Sequence, residues 1–240
     1  MDNELKDKSN FLENIEDLHR LHFVTIDFKH GIEHKPDTWK MFEPSKFVYA
    51  YFAFNTLYNF DWEESCQSNS LIVLKKIKID GKDEKPNEAQ KFNKMVEFVF
   101  NNLVEEDMNH FLRFILKPRK NENPKQNKDL IASINEIIPD KNISQKKSDD
   151  FKKVFAALIE KKQFHKESIS IMLKFIFLVR CNIFHGTKDT INMLDKNQRN
   201  RLEIYSNILI GFNELLFKSI EKKLNVTLNK KYNLKINDRN

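Results

Sequence analysis

The sequence predicts an all-α protein, and three observations carry this prediction. Glycine occurs four times and proline six times in 240 residues, which is too few turn-forming residues for a barrel or sandwich. No proline follows Pro139, so helices can run uninterrupted through the rest of the chain. Apolar residues recur at intervals of three and four, the spacing of one helix face. Segments 22–28 and 71–79 are weak strand candidates because both are short and isolated.

The first half of the chain contains three predicted apolar stripes at helical spacing. The first consists of Phe11, Ile15, Leu18 and Leu21. The second follows Pro44, which suits a first helical turn, and consists of Phe47, Tyr51, Phe54 and Tyr58. The third begins after Pro86 and continues to Pro118. We expect these aromatic stripes to form core and not to serve as platforms for stacking nucleobases.

Four further helices are predicted in the second half. A short one follows Asn123 and Pro124 and runs through Ile138. The next is expected to be capped by Ser148, with Asp149 and Asp150 matching the helix dipole. A very apolar helix should run from Ser168 to Phe184 and end at Gly186. The last is predicted from Asp195 to Leu224, with an apolar face that includes Leu202, Leu209 and Ile220.

Composition narrows the function classes. No apolar run is long enough to span a membrane, and the polar first residues do not resemble a signal peptide. Cys66 and Cys181 are the only cysteines, too few for a disulfide framework or a zinc site, so a cytoplasmic protein is expected. The net charge of +6 permits a polyanionic partner such as RNA without demonstrating one. We expect an N-terminal extension over residues 1–40 and one helical domain over residues 41–240.

The main candidate site is the segment Arg180–Gly186. Arg180 and His185 stand five residues apart where the most apolar predicted helix ends, followed at once by Gly186. A buried segment rarely closes on a cation and an imidazole without a use for them, because unpaired buried charge is costly. The alternative is structural: Arg180 caps carbonyls at the helix end, and His185 is a satisfied core histidine.

The segment Val179–Lys188 resembles the Arg-x4-6-His signature of the HEPN superfamily, and Tyr51–Asn59 is similar to an earlier helix in one branch of that superfamily. The resemblance implies a helical bundle of HEPN type that forms a homodimer, with two motifs facing each other across one cleft. It also implies metal-independent cleavage of RNA, commonly in toxin–antitoxin or antiphage systems. An antitoxin or other regulatory protein is therefore a candidate partner, and neither a cofactor nor a metal is expected.

On matching positions, Arg180 and His185 correspond to the catalytic pair of that superfamily. Cys181 stands where the superfamily often has a polar residue, and Asn182 follows one place later. Ile183 stands where one toxin branch has a tyrosine, so nucleotidylation of that tyrosine is not expected here. We expect Asn182 and Asn55 to have supporting roles: Asn182 shares a helix face with His185, and Asn55 is expected to be a buried amide.

The residue types fit the chemistry of RNA cleavage. Histidine has a reference pKa of about 6.5 and can transfer protons near neutral pH. Arginine stays charged and offers paired donors to phosphate oxygens. On a regular helix, positions five apart differ by about 140° and about 7.5 Å in rise. The two side chains should therefore diverge, which predicts a site that a second protomer completes.

Other interpretations remain open. One is a non-catalytic HEPN-like module that binds RNA or a partner protein. Another is a helical interaction domain in which the motif is only structural. The histidines at 19, 22, 30 and 34 fit no zinc spacing well. The basic tail from Lys218 to Arg239 is more simply a solvated helix end than a phosphate-binding surface.

Overall fold

A computed structural model describes residues 7–21, 42–116, 126–137, 143–162, 164–184 and 195–228, without the side chains at 42 and 126–130. This part of the chain is almost entirely helical, which confirms the all-α prediction. Within it lie nine helices and one two-stranded antiparallel sheet. None of the described helices combines the length and apolar character that a membrane span needs.

The first half contains five helices and the hairpin. α1 covers residues 7–21, α2 is Phe42–Leu57, α3 is Trp62–Ser68, α4 is Glu88–Asn102 and α5 is Glu105–Ile115. Strands β1 (Ile77–Ile79) and β2 (Lys82–Glu84) pair between α3 and α4. Asp80 and Gly81 connect the strands with positive φ values of 48° and 79°, as a tight primed hairpin turn requires.

The second half contains four helices. α6 is Gln126–Asn135, α7 is Gln145–Lys161, α8 is Lys166–Phe184 and α9 is Lys196–Leu224. The predicted limits of α8 and α9 agree closely with these bounds. Asp195 caps α9 by accepting the backbone N–H groups of Asn197 at 2.9 Å and Gln198 at 3.1 Å, and these bonds satisfy donors that a helix leaves unpaired at its first turn.

The long C-terminal helix α9 is the centre of the fold. It packs against α2, α3, α4, α5 and α6, while α8 lies against α4 and α7. Its own apolar side chains are buried along most of its length, among them Leu202, Leu209, Phe212 and Ile220. Two contacts fix α2 on α9: Arg199 pairs with Glu43 at 3.4 Å, and Lys46 donates to Asn207 at 2.7 Å.

The described part of the N-terminal 40 residues contributes to the same core. Phe11, Ile15 and Leu18 of α1 are buried, and His19 contacts the ring of Phe217 edge to face at 4.6 Å. Leu21, the last member of the predicted stripe, is exposed. The proposed division between residues 40 and 41, like the strand candidate at 22–28, lies outside the described residues and stays a prediction.

Two predicted boundaries were wrong. Ser148 does not cap α7: it is fully buried inside the helix, and the cap is Ser144, whose side chain accepts the N–H of Lys147 at 3.4 Å. The third stripe is also interrupted, because Leu103 and Val104 are extended with ψ near 153° and 171°. The acidic residues that follow Val104 favour a new helix N-terminus there.

Candidate functional site

Helix α8 places Arg180 one turn before its end. The helix buries most of one face, including Phe175, Ile176 and Val179, because this face lies against α4 and α7. Arg180 itself is only half-buried. His185 and Gly186 lie outside the described residues, so the geometry of the Arg180–His185 pair and the helix end predicted at Gly186 both remain predictions.

The Arg180 side chain lies beside the neighbouring rings of Tyr51 and Phe184, whose centres are 6.5 Å apart. Its guanidinium carbon is 5.3 Å from the centre of the Tyr51 ring and 5.0 Å from that of Phe184, distances at which a cation is attracted to the ring face. Its Nη1 lies 4.0 Å from the Cys181 sulfur. Arg180 is therefore held by ring contacts from α2 and from its own helix. None of these contacts is with a backbone carbonyl, which is the contact that the structural alternative expects.

The charge of Arg180 is not neutralised by an ion pair within the described residues. Its Nε is buried and lacks a hydrogen-bond acceptor there. The hydroxyl of Tyr51 and the Oε2 of Glu88 are buried too, and neither makes a hydrogen bond of good geometry within the described residues, although both side chains interact with Tyr58. An unsatisfied buried polar group costs about 1–3 kcal/mol. The unsatisfied Nε of Arg180 therefore indicates a site that is incomplete as it stands.

The pKa values of two tyrosines show that these side chains share one electrostatic environment. Burial raises the pKa of Tyr51 far above its ordinary value, with Tyr58 adding to the shift and Arg180 opposing it. Burial and then the Glu88 carboxylate raise the pKa of Tyr58, and Arg180 again opposes the shift. Both tyrosines are thus neutral hydrogen-bond donors across the physiological range, and neither is a proton acceptor.

A polar network continues from Tyr58 along α2 and α4. The hydroxyl of Tyr58 donates to the Oδ1 of Asn55 at 3.1 Å. Lys91 donates to Asn59 at 3.0 Å and pairs with Glu88 at 3.5 Å, and its ammonium lies 5.4 Å from the centre of the Tyr58 ring. This network connects the C-terminal end of α2 and the start of α4 with the surroundings of Arg180.

The two expected supporting residues occupy different surroundings. Asn182 is fully buried on the face of α8 opposite to solvent. Asn55 was expected to be buried but is only half-buried, and its Oδ1 accepts the Tyr58 hydroxyl at 3.1 Å. Because His185 is not described, the expected pairing of Asn182 with His185 stays a prediction.

An exposed aromatic surface lies beside Arg180. Its members are Tyr49, Phe52 and Phe184, whose exposed fractions are 38%, 48% and 40%. The Phe52 ring centre lies 6.4 Å from that of Tyr49 and 6.0 Å from that of Phe184. The predicted stripe of α2 is core as expected, whereas Tyr49 and Phe52 lie on another face of α2 and Phe184 ends α8.

A pocket of about 580 Å³ opens between α4, α7 and α8. Its walls are mostly apolar, formed by Phe92, Phe175, Phe177 and Leu178, with Lys147 and Lys174 among its polar lining residues. Glu88 lines this pocket and also influences Tyr58. The pocket therefore lies next to the polar network and has a volume typical of small-molecule sites.

No group of three or more metal-binding side chains occurs among the described residues. His19, one of the four clustered histidines, is buried against Phe217, and the other three fall outside the described ranges. In the basic tail, Lys218 pairs with Asp107 at 3.6 Å, and residues beyond 228 are not described.

Sequence reasoning missed three members of the site, namely Tyr51 as a partner of Arg180, Glu88 and Lys91. Tyr51 had a signal, since it begins the segment Tyr51–Asn59 that carries the family resemblance, but its place in an apolar stripe indicated only core. Glu88 and Lys91 had none, because charged residues in the first turns of an amphipathic helix are ordinarily solvated.

No protein-family model, curated protein sequence or solved structure matches this chain significantly.

Proposed function

We propose that this protein is a homodimeric, metal-independent endoribonuclease of HEPN type that acts on single-stranded RNA in the cytoplasm. The observation that supports this best is Arg180, a cation beside the rings of Tyr51 and Phe184 that has no ion-pair partner in the described chain and stands five residues before His185 in the sequence. A phosphate group is the ligand that such a guanidinium suits, because its paired donors match phosphate oxygens.

The reaction uses the nucleophile that RNA carries. His185 accepts the proton of a 2′-hydroxyl, whose oxygen attacks the adjacent phosphorus and displaces the 5′-oxygen of the next nucleotide. The departing oxygen takes up a proton, so the products are a 2′,3′-cyclic phosphate and a 5′-hydroxyl. Arg180 stabilises the additional negative charge on the phosphorane; removal of such a group typically costs about 10²–10³ in rate.

The neutral tyrosines beside Arg180 fit this assignment. Because the pKa of Tyr51 and that of Tyr58 are raised, neither competes with His185 as a general base at neutral pH. The biological setting that follows from the resemblance is a toxin or an antiphage effector, restrained by an antitoxin or another regulatory protein.

The proposal is tested by incubating purified wild type, Arg180→Ala, Arg180→Lys and His185→Ala with total RNA in EDTA and mapping the new ends. We expect cyclic phosphate and 5′-hydroxyl ends with wild type and at least a 10²-fold loss with either alanine variant. Circular dichroism verifies that each variant is folded. Cleavage that survives His185→Ala, or that stops when EDTA is added, contradicts the proposal.

A composite site makes a further demand on the dimer. If Arg180 of one protomer acts with His185 of the other, a mixed dimer of Arg180→Ala and His185→Ala subunits keeps one intact pair. Co-expression with two different tags, followed by tandem purification, yields that mixed dimer. We expect it to recover activity that neither homodimer has.

The second candidate is a non-catalytic module that binds RNA or a protein. The half-buried position of Arg180 and the exposed aromatic surface beside it are also compatible with binding alone. Unchanged biological activity in an Arg180→Ala/His185→Ala double variant favours this candidate over the enzyme.

A further inference from the structure

We propose that the aromatic surface formed by Tyr49, Phe52 and Phe184 stacks nucleobases of single-stranded RNA while Arg180 holds an adjacent phosphate. This inference deepens the proposed function, because it assigns the part of the substrate that is recognised beside the reacting phosphate.

The three rings belong to two helices and form one continuous surface. Tyr49 and Phe52 lie one turn apart on α2, and Phe184 is the last residue of α8. Phe52 is the central member, since its ring neighbours both Tyr49 at 6.4 Å and Phe184 at 6.0 Å. With nearly half of its side chain exposed, Phe52 offers the largest accessible area to a base.

Phe184 connects this surface with the cation. The same ring that contacts Phe52 also lies 5.0 Å from the Arg180 guanidinium. A charged group and an accessible ring are thus adjacent, which is the combination that single-strand binding proteins use: the charge contacts the backbone and the rings stack the bases. Because every base has a π face, this surface recognises single strands with little sequence preference.

The size of the surface favours a base over a second copy of the chain. An aromatic side chain buries 150–250 Å² when fully covered, so three that expose about two-fifths each offer on the order of 250 Å². A stable protein interface needs about 800 Å² per partner. The aromatic surface alone is too small to hold a dimer together, but it is large enough for one or two bases.

Two fluorescent oligonucleotides of equal length test the inference by anisotropy. One is a 2′-O-methyl uridine 12-mer, in which the attacking hydroxyl is blocked, and the other is its abasic counterpart with the same phosphates. We expect Phe52→Gln to weaken binding of the base-bearing probe by about tenfold, as loss of one stacked base would, and to leave the abasic probe unaffected. Phe52→Trp should preserve or tighten the base-bearing complex.

A matched control removes exposed apolar area elsewhere. Val104 precedes α5 and is 56% exposed, so Val104→Gln should change the affinity for neither probe.

Equal losses on both probes in Phe52→Gln, no loss on either, or failure of wild type to bind overturns the inference. A shift from dimer to monomer in Phe52→Gln by sedimentation, with RNA affinity unchanged, also overturns it and assigns the surface to a protein partner. Because neither probe can be cleaved, base-dependent binding by a protein that cleaves no RNA contradicts the proposed function and leaves the inference standing.

Discussion

The Tyr51 ring centre lies 5.3 Å from the guanidinium carbon of Arg180, and the Tyr51 hydroxyl is buried without a hydrogen-bond partner in the described part of the chain. The ring therefore positions the cation, while the hydroxyl interacts with Tyr58 but makes no hydrogen bond of good geometry that offsets its desolvation. Tyr51 thus contributes to the geometry of the site through its aromatic ring, at a cost in stability that its hydroxyl imposes.

We expect the two tyrosines near Arg180 to respond oppositely to removal of their hydroxyls. Tyr51→Phe deletes an unpaired buried group and should leave the free energy of unfolding unchanged or raise it by about 1 kcal/mol. Tyr58→Phe deletes a bond to Asn55 of 3.1 Å and should lower it by about 1 kcal/mol. Urea denaturation of both variants measures the difference, and losses of equal size would show that Tyr51 has a bond in solution.

The corrected start of α7 predicts a contrast between two serines. Ser144→Ala removes the side chain that caps the helix and should destabilise the protein by about 1 kcal/mol. Ser148→Ala removes a buried hydroxyl that has no partner in the described chain and should be neutral or stabilising. Thermal unfolding of the two variants checks this, and a larger loss at Ser148 would restore it as the cap.

Gly211 is required by the close approach of α9 to α5. A Cβ placed there would lie 2.7 Å from Cδ2 of Phe111, so Gly211→Ala should cost about 1–3 kcal/mol through overpacking despite alanine's better helix propensity. Phe111→Leu makes room, and a double-mutant cycle should show that the Gly211→Ala penalty shrinks in that background. If Gly211→Ala costs as much in the Phe111→Leu background as in wild type, the strain does not come from the contact with Phe111.

Stability should fall at alkaline pH through Cys66. Burial raises the pKa of its thiol from 9.0 to about 11, so between these values the unfolded chain releases a proton that the folded protein retains. Ionisation therefore favours unfolding as pH rises from about 9 to about 11. We expect the urea midpoint to drop over this window and to drop less in Cys66→Ala. The raised pKa values of Tyr51, Tyr58 and Tyr205 act in the same direction from about pH 10 upward, which overlaps this window, and Cys66→Ala isolates the contribution of the thiol.

Local sequence predicted the helices that have strong local signals. Asp195 before a long apolar stripe fixed the start of α9, and the continuous apolar run before Arg180 fixed the extent of α8. Ser144 and Ser148 show the limit, because the local signal favours the wrong one: Asp149 and Asp150 after Ser148 suit a first turn, whereas Ser144 is followed by a glutamine and two lysines. The choice of Ser144 as the cap goes with the burial of Ser148 inside the fold, and burial of a serine cannot be predicted from its neighbours in the sequence. The sequence also contains a weak hairpin signal, Asp80-Gly81 directly after the strand candidate at 71–79, but that candidate was not paired with a second strand.

The sequence by itself determined the helical class and the presence of Arg180 near a helix end, because periodicity and termination signals act within a few residues. Only the tertiary structure decided what surrounds Arg180: Tyr51 reaches it from α2, and burial together with Glu88 of α4 raises the pKa values of Tyr51 and Tyr58. It also decided that Phe52 and Phe184 form one exposed surface. The physical reason is that desolvation, ring contacts and exposed area depend on packing between segments distant in the chain, and such packing leaves no local pattern in the sequence.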